Sequence, residues 1–169
     1  MLFAVGWAVV RSSRDVFSRL GPSSLESVEC LQALDTIDDE CDRADLALFD
    51  AFERFITGIG DSCLSWQFQR QLNNERGVLT FSSSRNHRGG TPVAVEVLEW
   101  LAVNGTGSYG ILYLHDDEDI GESAHSHGRD GVDRSNVFRV WRLLSGQVKE
   151  FDDPFLSPIV PIINPGHYA

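Results

Sequence analysis

The chain has 169 residues, 42% of them apolar and 23% charged, which suits one globular domain spanning residues 1–169 with a filled core. Its formal charge of −11, from 25 carboxylates against 14 Lys and Arg, is far from ordinary. That balance argues against nucleic acid as a direct ligand, because phosphate binding runs on Lys and Arg. It leaves a basic partner or plain solubility as the meaning of the charge.

The apolar opening, Leu2 to Val10, is too short to span a membrane and has no basic residues before it. It is apolar on both faces and predicts a central strand. Arg11 to Gly21 reads as a basic linker. Ser23 with Glu26 offers a capping box, and Val28, Leu31 and Leu34 continue at helical spacing. Carboxylates dominate from Asp35 to Asp45, either as a solvated helix face or as a break. A second amphipathic run then sets Leu48, Phe52, Phe55, Ile56 and Ile59 on one stripe, with Gly58 and Gly60 to stop it.

Leu64 to Gln69 alternates apolar and polar, as a half-buried strand does. Asn73 to Gly77 reads as a turn, and Val78 to Ser82 as the returning strand. The loop Ser83 to Gly90 carries Arg85, His87 and Arg88, an island of positive charge. Thr91-Pro92 predicts an N-cap followed by proline at the first helical position. Val93, Val97, Trp100 and Leu101 form that helix's apolar stripe, and Gly105 closes it. Strands follow at 108–115, 137–144 and 147–151. The stretch 120–135 has no periodicity and reads as a loop. Pro154, Pro158, Pro161 and Pro165 keep the tail out of a sheet interior.

Strand, helices, two strands, helix and three strands, joined mostly by hairpin turns, predict an α+β fold. Its sheet is mixed or mainly antiparallel, of about five to six strands, with helices packed on one face. If Ser145-Gly146 is a two-residue turn, Leu143 faces Val148, Val140 faces Phe151, Arg139 faces Asp152, and Arg142 faces Lys149. An exposed Arg139–Asp152 pair contributes about 0.2–1 kcal/mol, and the like-charged pair mildly opposes the register. Trp7, Trp66, Trp100 and Trp141 lie within elements and read as core. Trp141 doubles as a contact candidate, since Arg139 and Glu150 share its face.

The candidate for function is the run Asp116, Asp117, Glu118, Asp119 at a strand end, with Asp152 and Asp153 after another. Adjacent carboxylates repel, so a fold keeps them where water, a cation or a basic partner relieves them. Three readings stay open: an acidic partner-binding patch, a solvated loop, and a metal site. Asp117, Asp119, Gly121 and Glu122 only hint at a calcium loop, whose register fails. His115, His125 and His127 could add metal ligands. Ser123, Ser126 and Ser135 lack a nucleophile elbow, and no phosphate-binding glycine loop precedes a helix. Cys30, Cys41 and Cys63 are odd in number and lack Cys-x-x-Cys spacing, so they read as reduced thiols. With no secretory signal, the expected location is the cytoplasm.

Several of these segments together resemble a known family. Gly6-Trp7 near the start, Gly107-Ser108-Tyr109-Gly110, the Asp116 to Asp119 run, Phe138-Arg139-Val140-Trp141 and Asp152-Asp153-Pro154-Phe155-Leu156-Ser157-Pro158 are similar to immunity protein family 7 of the bacterial polymorphic-toxin systems. The resemblance is dense from about residue 100 to 160. Ile120 to Ser135 and the acidic helical region before residue 60 depart from it. It implies a non-enzymatic protein that binds and neutralises a cognate protein toxin, a nuclease or another basic domain, without cofactor, nucleic acid or membrane. Expected contacts are Asp116, Asp117, Glu118, Asp119, Arg139, Trp141, Asp152 and Asp153. The alternative is a metal-dependent hydrolase using the Asp116–Asp119 carboxylates.

Overall fold

A computed structural model describes residues 1–12, 28–70, 77–86, 91–119, 133–135 and 137–153. The elements are β1 (Leu2–Val9), α1 (Val28–Ile59), β2 (Leu64–Gln69), β3 (Val78–Arg85), α2 (Val93–Asn104), β4 (Tyr109–Asp116), β5 (Phe138–Leu144) and β6 (Gln147–Asp152). The strands form one sheet in the order β2-β3-β1-β4-β5-β6, with every neighbouring pair antiparallel. This is the expected α+β architecture with an antiparallel sheet.

The β5–β6 hairpin has the expected register. Leu143 faces Val148, Arg142 faces Lys149, Val140 faces Phe151, and Arg139 faces Asp152. Ser145 and Gly146 take φ of 55° and 70°, the left-handed pair that a two-residue hairpin turn needs to match strand twist. β1 is central as expected, between β3 and β4.

Both helices cover one face of the sheet. α2 is apolar almost all round, burying Val93, Ala94, Val95, Val97, Leu98, Leu101 and Ala102. Such a helix belongs between layers rather than on a surface. It packs on β1, β3, β5 and β6 and touches α1. The stripe of α1 buries Leu48, Phe49, Phe52 and Ile56. Its aromatics converge on β2 and α2: Phe68 lies 5.3 Å from Phe49 and 5.2 Å from Phe52, and Trp100 stacks on Phe55 at 4.9 Å. Arg70, just past β2, spans to Asp50 at 2.7 Å and Glu53 at 2.6 Å on α1, tying helix to sheet edge.

Local expectations need two corrections, and β3 supplies the first: it runs on to Arg85, so Ser83 to Arg85 are strand and not part of the loop expected from Ser83 to Gly90. The acidic stretch 35–45 takes the first of its two readings, a solvated helix face, because α1 runs unbroken for 32 residues. Asp39 and Glu40 simply face water there, so the helix tolerates the charge. The cap of α2 is Pro92, not Thr91, and it makes no side-chain capping bond. Gly105 closes α2 as expected, with its N–H donating to the Leu101 carbonyl at 2.8 Å. The capping box at Ser23 and Glu26, the turn before Gly77 and the proline tail lie outside the described residues.

Glycine is required where β1 meets β4. A Cβ on Gly110 would stand 2.3 Å from the Trp7 carbonyl oxygen, and one on Gly6 would stand 2.8 Å from the Phe81 ring. Ser108 fastens the same seam. Its buried hydroxyl accepts from the Arg11 N–H at 3.0 Å and donates to the Arg11 carbonyl at 3.1 Å.

Candidate functional site

Strand alternation divides the sheet residues between two faces. The covered face takes Leu2, Ala4 and Ala8 of β1, Leu79 and Phe81 of β3, Leu112 and Leu114 of β4, and Trp141 and Leu143 of β5, all buried. Among the described residues no helix lies on the other face. Phe3, Val5, Trp7, Leu144 and Phe151 remain 38% to 45% exposed there. Trp7 is therefore not core, as its sequence position suggested. Trp66 is also 38% exposed, although it pairs with Phe81 on the helix side.

The registers assemble this open face into rows. One row crosses the sheet as Ser65, Ser82, Val5, Tyr113, Val140 and Phe151. The next runs Gln67, Thr80, Trp7, Ile111, Arg142 and Lys149. The β2–β3 side thus carries hydroxyls and an amide, and the β1–β4 centre is aliphatic and aromatic. Trp7 meets Tyr109 edge-on with ring centroids 6.2 Å apart. A depression of about 820 Å³ opens over the first strands of both rows, lined by Val5, Trp7, Ser82, Ile111 and Tyr113 among others. Contiguous exposed apolar surface rimmed by polar groups marks interaction sites.

No strand carboxylate lies on this face. Asp116, Glu150 and Asp152 all fall in the covered-face register, with Leu114, Trp141 and Arg139 as their neighbours or partners. In a chain with 25 carboxylates that segregation gives the two layers different electrostatic character.

The expected acidic patch is divided by the turn after β4. Asp116 and Asp119 turn inward and are buried, whereas Asp117 is exposed and Glu118 half-buried. Asp116 accepts from the Glu118 N–H at 3.1 Å, and its carbonyl accepts from the Asp119 N–H at 3.2 Å. The Asp117 carboxylate lies against the amino group of Met1. Arg139 reaches Asp119 at 2.5 Å and also pairs with Glu150, with its guanidinium 5.1 Å from the Trp141 ring centroid. These ion pairs run to Asp119 and Glu150 instead of straight across to Asp152. Arg139, Trp141 and Asp153 are all buried, and the Asp153 N–H donates to the Phe138 carbonyl at 3.0 Å. Of the eight expected contact residues, Asp117, Glu118, and Asp152 therefore reach solvent, and the other five are inside.

His115 sits on the open face, 4.9 Å from the Phe138 ring. Burial pushes its pKa below the ordinary histidine value; Asp116 pulls the other way, and the terminal amine adds to the depression. Asp116 points to the opposite face, so these neighbours in sequence do not converge. Among the described residues no group of three or more His, Cys, Asp or Glu could hold a metal ion. His125, His127, Ser123 and Ser126 lie outside them. Arg85 pairs with Asp61 rather than standing as free positive charge, and His87 and Arg88 are outside the described residues. Cys41 and Cys63 are free thiols. Among the described residues no helix is long and apolar enough to cross a membrane.

The fold is one antiparallel sheet with its helices on one face, and comparison with protein families gives the class a name. The model of the family Immunity protein 7 matches residues 65–165, more than half of the chain, and the chain belongs to that family. Neither the curated proteins nor the solved structures yield a match. The matched segment runs from β2 past β6 and holds the Gly107 to Gly110, Asp116 to Asp119 and Phe138 to Trp141 segments. Gly6-Trp7 lies outside it.

Proposed function

We propose that this protein neutralises a cognate toxin by binding it directly, with the open face of the sheet as the contact. The observation that carries the reading is the apolar centre of that face, Val5, Trp7, Ile111 and Tyr113, which no other described element covers, in a protein of an immunity family. Rigid aromatic side chains at the centre of a contact carry most of its binding energy, while a polar rim excludes water around them. Trp7 and Tyr113 fit the first role, and Ser65, Ser82 and Gln67 the second.

The acids fit a different task. Asp117, Glu118 and Asp152 at the ends of strands, with Asp39 and Glu40 on α1, give the molecule a negative field away from the apolar centre. Such a field speeds encounter with a basic toxin domain, and nucleases are basic where they hold substrate. Asp116, Asp119, Arg139, Trp141 and Asp153 act from inside, by holding the strand ends that present the surface. A hydrolase built on Asp116 to Asp119 has little support, since Asp119 is already engaged by a guanidinium and Asp116 by a backbone N–H.

Co-expression with the cognate toxin, sought among the neighbouring genes, tests the reading. Growth should be rescued and the two proteins should purify as one complex. Rescue without a complex contradicts direct binding.

A further inference from the structure

The row through Trp7 and Ile111 ends in two cations. Arg142 and Lys149 face each other across β5 and β6, on the open side of the sheet. Like charges directly opposite in a sheet are destabilising. A chain with 25 carboxylates has ample means to neutralise them, yet neither forms an ion pair among the described residues. Instead the Arg142 guanidinium rests 5.0 Å from the centroid of the Phe151 ring, which holds its plane in place.

A notch of about 220 Å³ opens beside the pair, lined by Arg142, Leu144, Ser145, Gln147 and Lys149. Its polar inventory is a guanidinium fork, an ammonium, a hydroxyl and an amide, and it includes no carboxylate. The hairpin turn at Ser145-Gly146 fixes its geometry, since both residues hold left-handed backbone conformations.

From this we infer that the notch is an anion seat within the toxin contact, filled and shut off from water in the complex by a carboxylate side chain of the toxin. The inference rests on the proposed binding through the open face and adds the chemistry of one contact. A carboxylate there meets Arg142 through two parallel N–H donors, the geometry in which guanidinium binds best, with Lys149 as a second positive charge. It also relieves the repulsion between the two facing cations. A nucleic-acid phosphate is disfavoured as occupant, because the net charge of −11 opposes approach of a polyanion. One carboxylate carried on an otherwise basic partner meets no such barrier.

The test uses the full chain and the purified cognate toxin domain. Lys149→Glu places a carboxylate opposite Arg142 within the protein itself, filling the seat from inside. The variant's thermal midpoint should be equal to or above that of the wild type, while toxin affinity falls by about tenfold or more, mainly through faster dissociation. Arg142→Gln should lose a similar amount, and Arg43→Glu on α1 should stay within about twofold in dissociation rate. Retained stability beside lost binding separates a lost contact from a damaged fold. Wild-type binding with unchanged affinity for Lys149→Glu overturns the inference and leaves the proposed function standing. Absence of wild-type binding removes both. Retention of a short DNA duplex by the wild type, abolished in Lys149→Glu, overturns the toxin carboxylate in favour of phosphate.

Discussion

Arg139 gives the sharpest quantitative test of the interior. Its side chain is 6% exposed and Asp119 only 1%, whereas Glu150, its other partner, is 34% exposed. Arg139→Met removes the cation and leaves Asp119 buried, with one carboxylate oxygen already lacking a hydrogen-bond partner among the described residues. Stripping one partner from a buried pair costs about 3–5 kcal/mol, because the remaining charge is uncompensated. Glu150→Ala touches a pair open to solvent and costs about 1 kcal/mol or less. Replacing the whole pair, as in Arg139→Met with Asp119→Leu, should return stability to within about 1 kcal/mol of wild type, since apolar substitutes for buried pairs are often neutral. Urea unfolding at neutral pH reads all three variants. With a slope of about 2 kcal/mol per molar, the Arg139→Met midpoint falls by about 2 M, a large part of the stability of an ordinary domain. A single-variant shift below about 0.5 M, or a double variant no better than the single one, refutes the reasoning.

Gly110→Ala should be among the worst small substitutions in the sheet, because its Cβ would meet the β1 backbone at 2.3 Å. Overpacking of this kind costs about 1–3 kcal/mol or more, measured as a lower urea midpoint or a lost soluble yield. His115 has a pKa depressed by burial, so the unfolded chain binds its proton more readily than the folded one. Stability from this group is present above the ordinary histidine pKa and is lost as pH falls through it. His115→Gln should therefore flatten the fall in urea midpoint between pH 7.5 and pH 5; an unchanged slope contradicts the assignment to this residue.

Much of the fold was legible because antiparallel hairpins write their register locally. The turn residues Ser145-Gly146 set every pair from Leu144–Gln147 to Arg139–Asp152, and alternation marked β2 with its observed bounds. Carboxylate density between Asp35 and Asp45 left a solvated helix face and a break both open, because composition does not report the helical hydrogen bonds that carry α1 through it. The open face was harder to see. Leu2 to Val9 is apolar on both sides, which ordinarily means a strand covered twice, whereas the described helices form one layer on one side. The signal lay in side-chain size and charge. The covered side of β1 takes Leu2, Ala4, Gly6 and Ala8, small enough for close packing under α2, and the open side takes Phe3, Val5 and Trp7. The acidic run misled for a related reason. Four carboxylates in sequence look like one patch, but a turn sends two inward, and the buried partner of Asp119 is 20 residues away in sequence.

In the proposed complex the toxin rests on the open sheet face and the acids act at a distance. Association and dissociation rates for Trp7→Ala, Val5→Lys and Asp117→Lys against the purified toxin measure this directly. Trp7→Ala and Val5→Lys should each lose about 2 kcal/mol or more of affinity, roughly thirtyfold, through faster dissociation. Asp117→Lys should slow association at low salt and leave dissociation unchanged. If both sheet-face variants bind like wild type while Asp117→Lys releases the toxin, the contact lies on the acidic rim and the claim is contradicted.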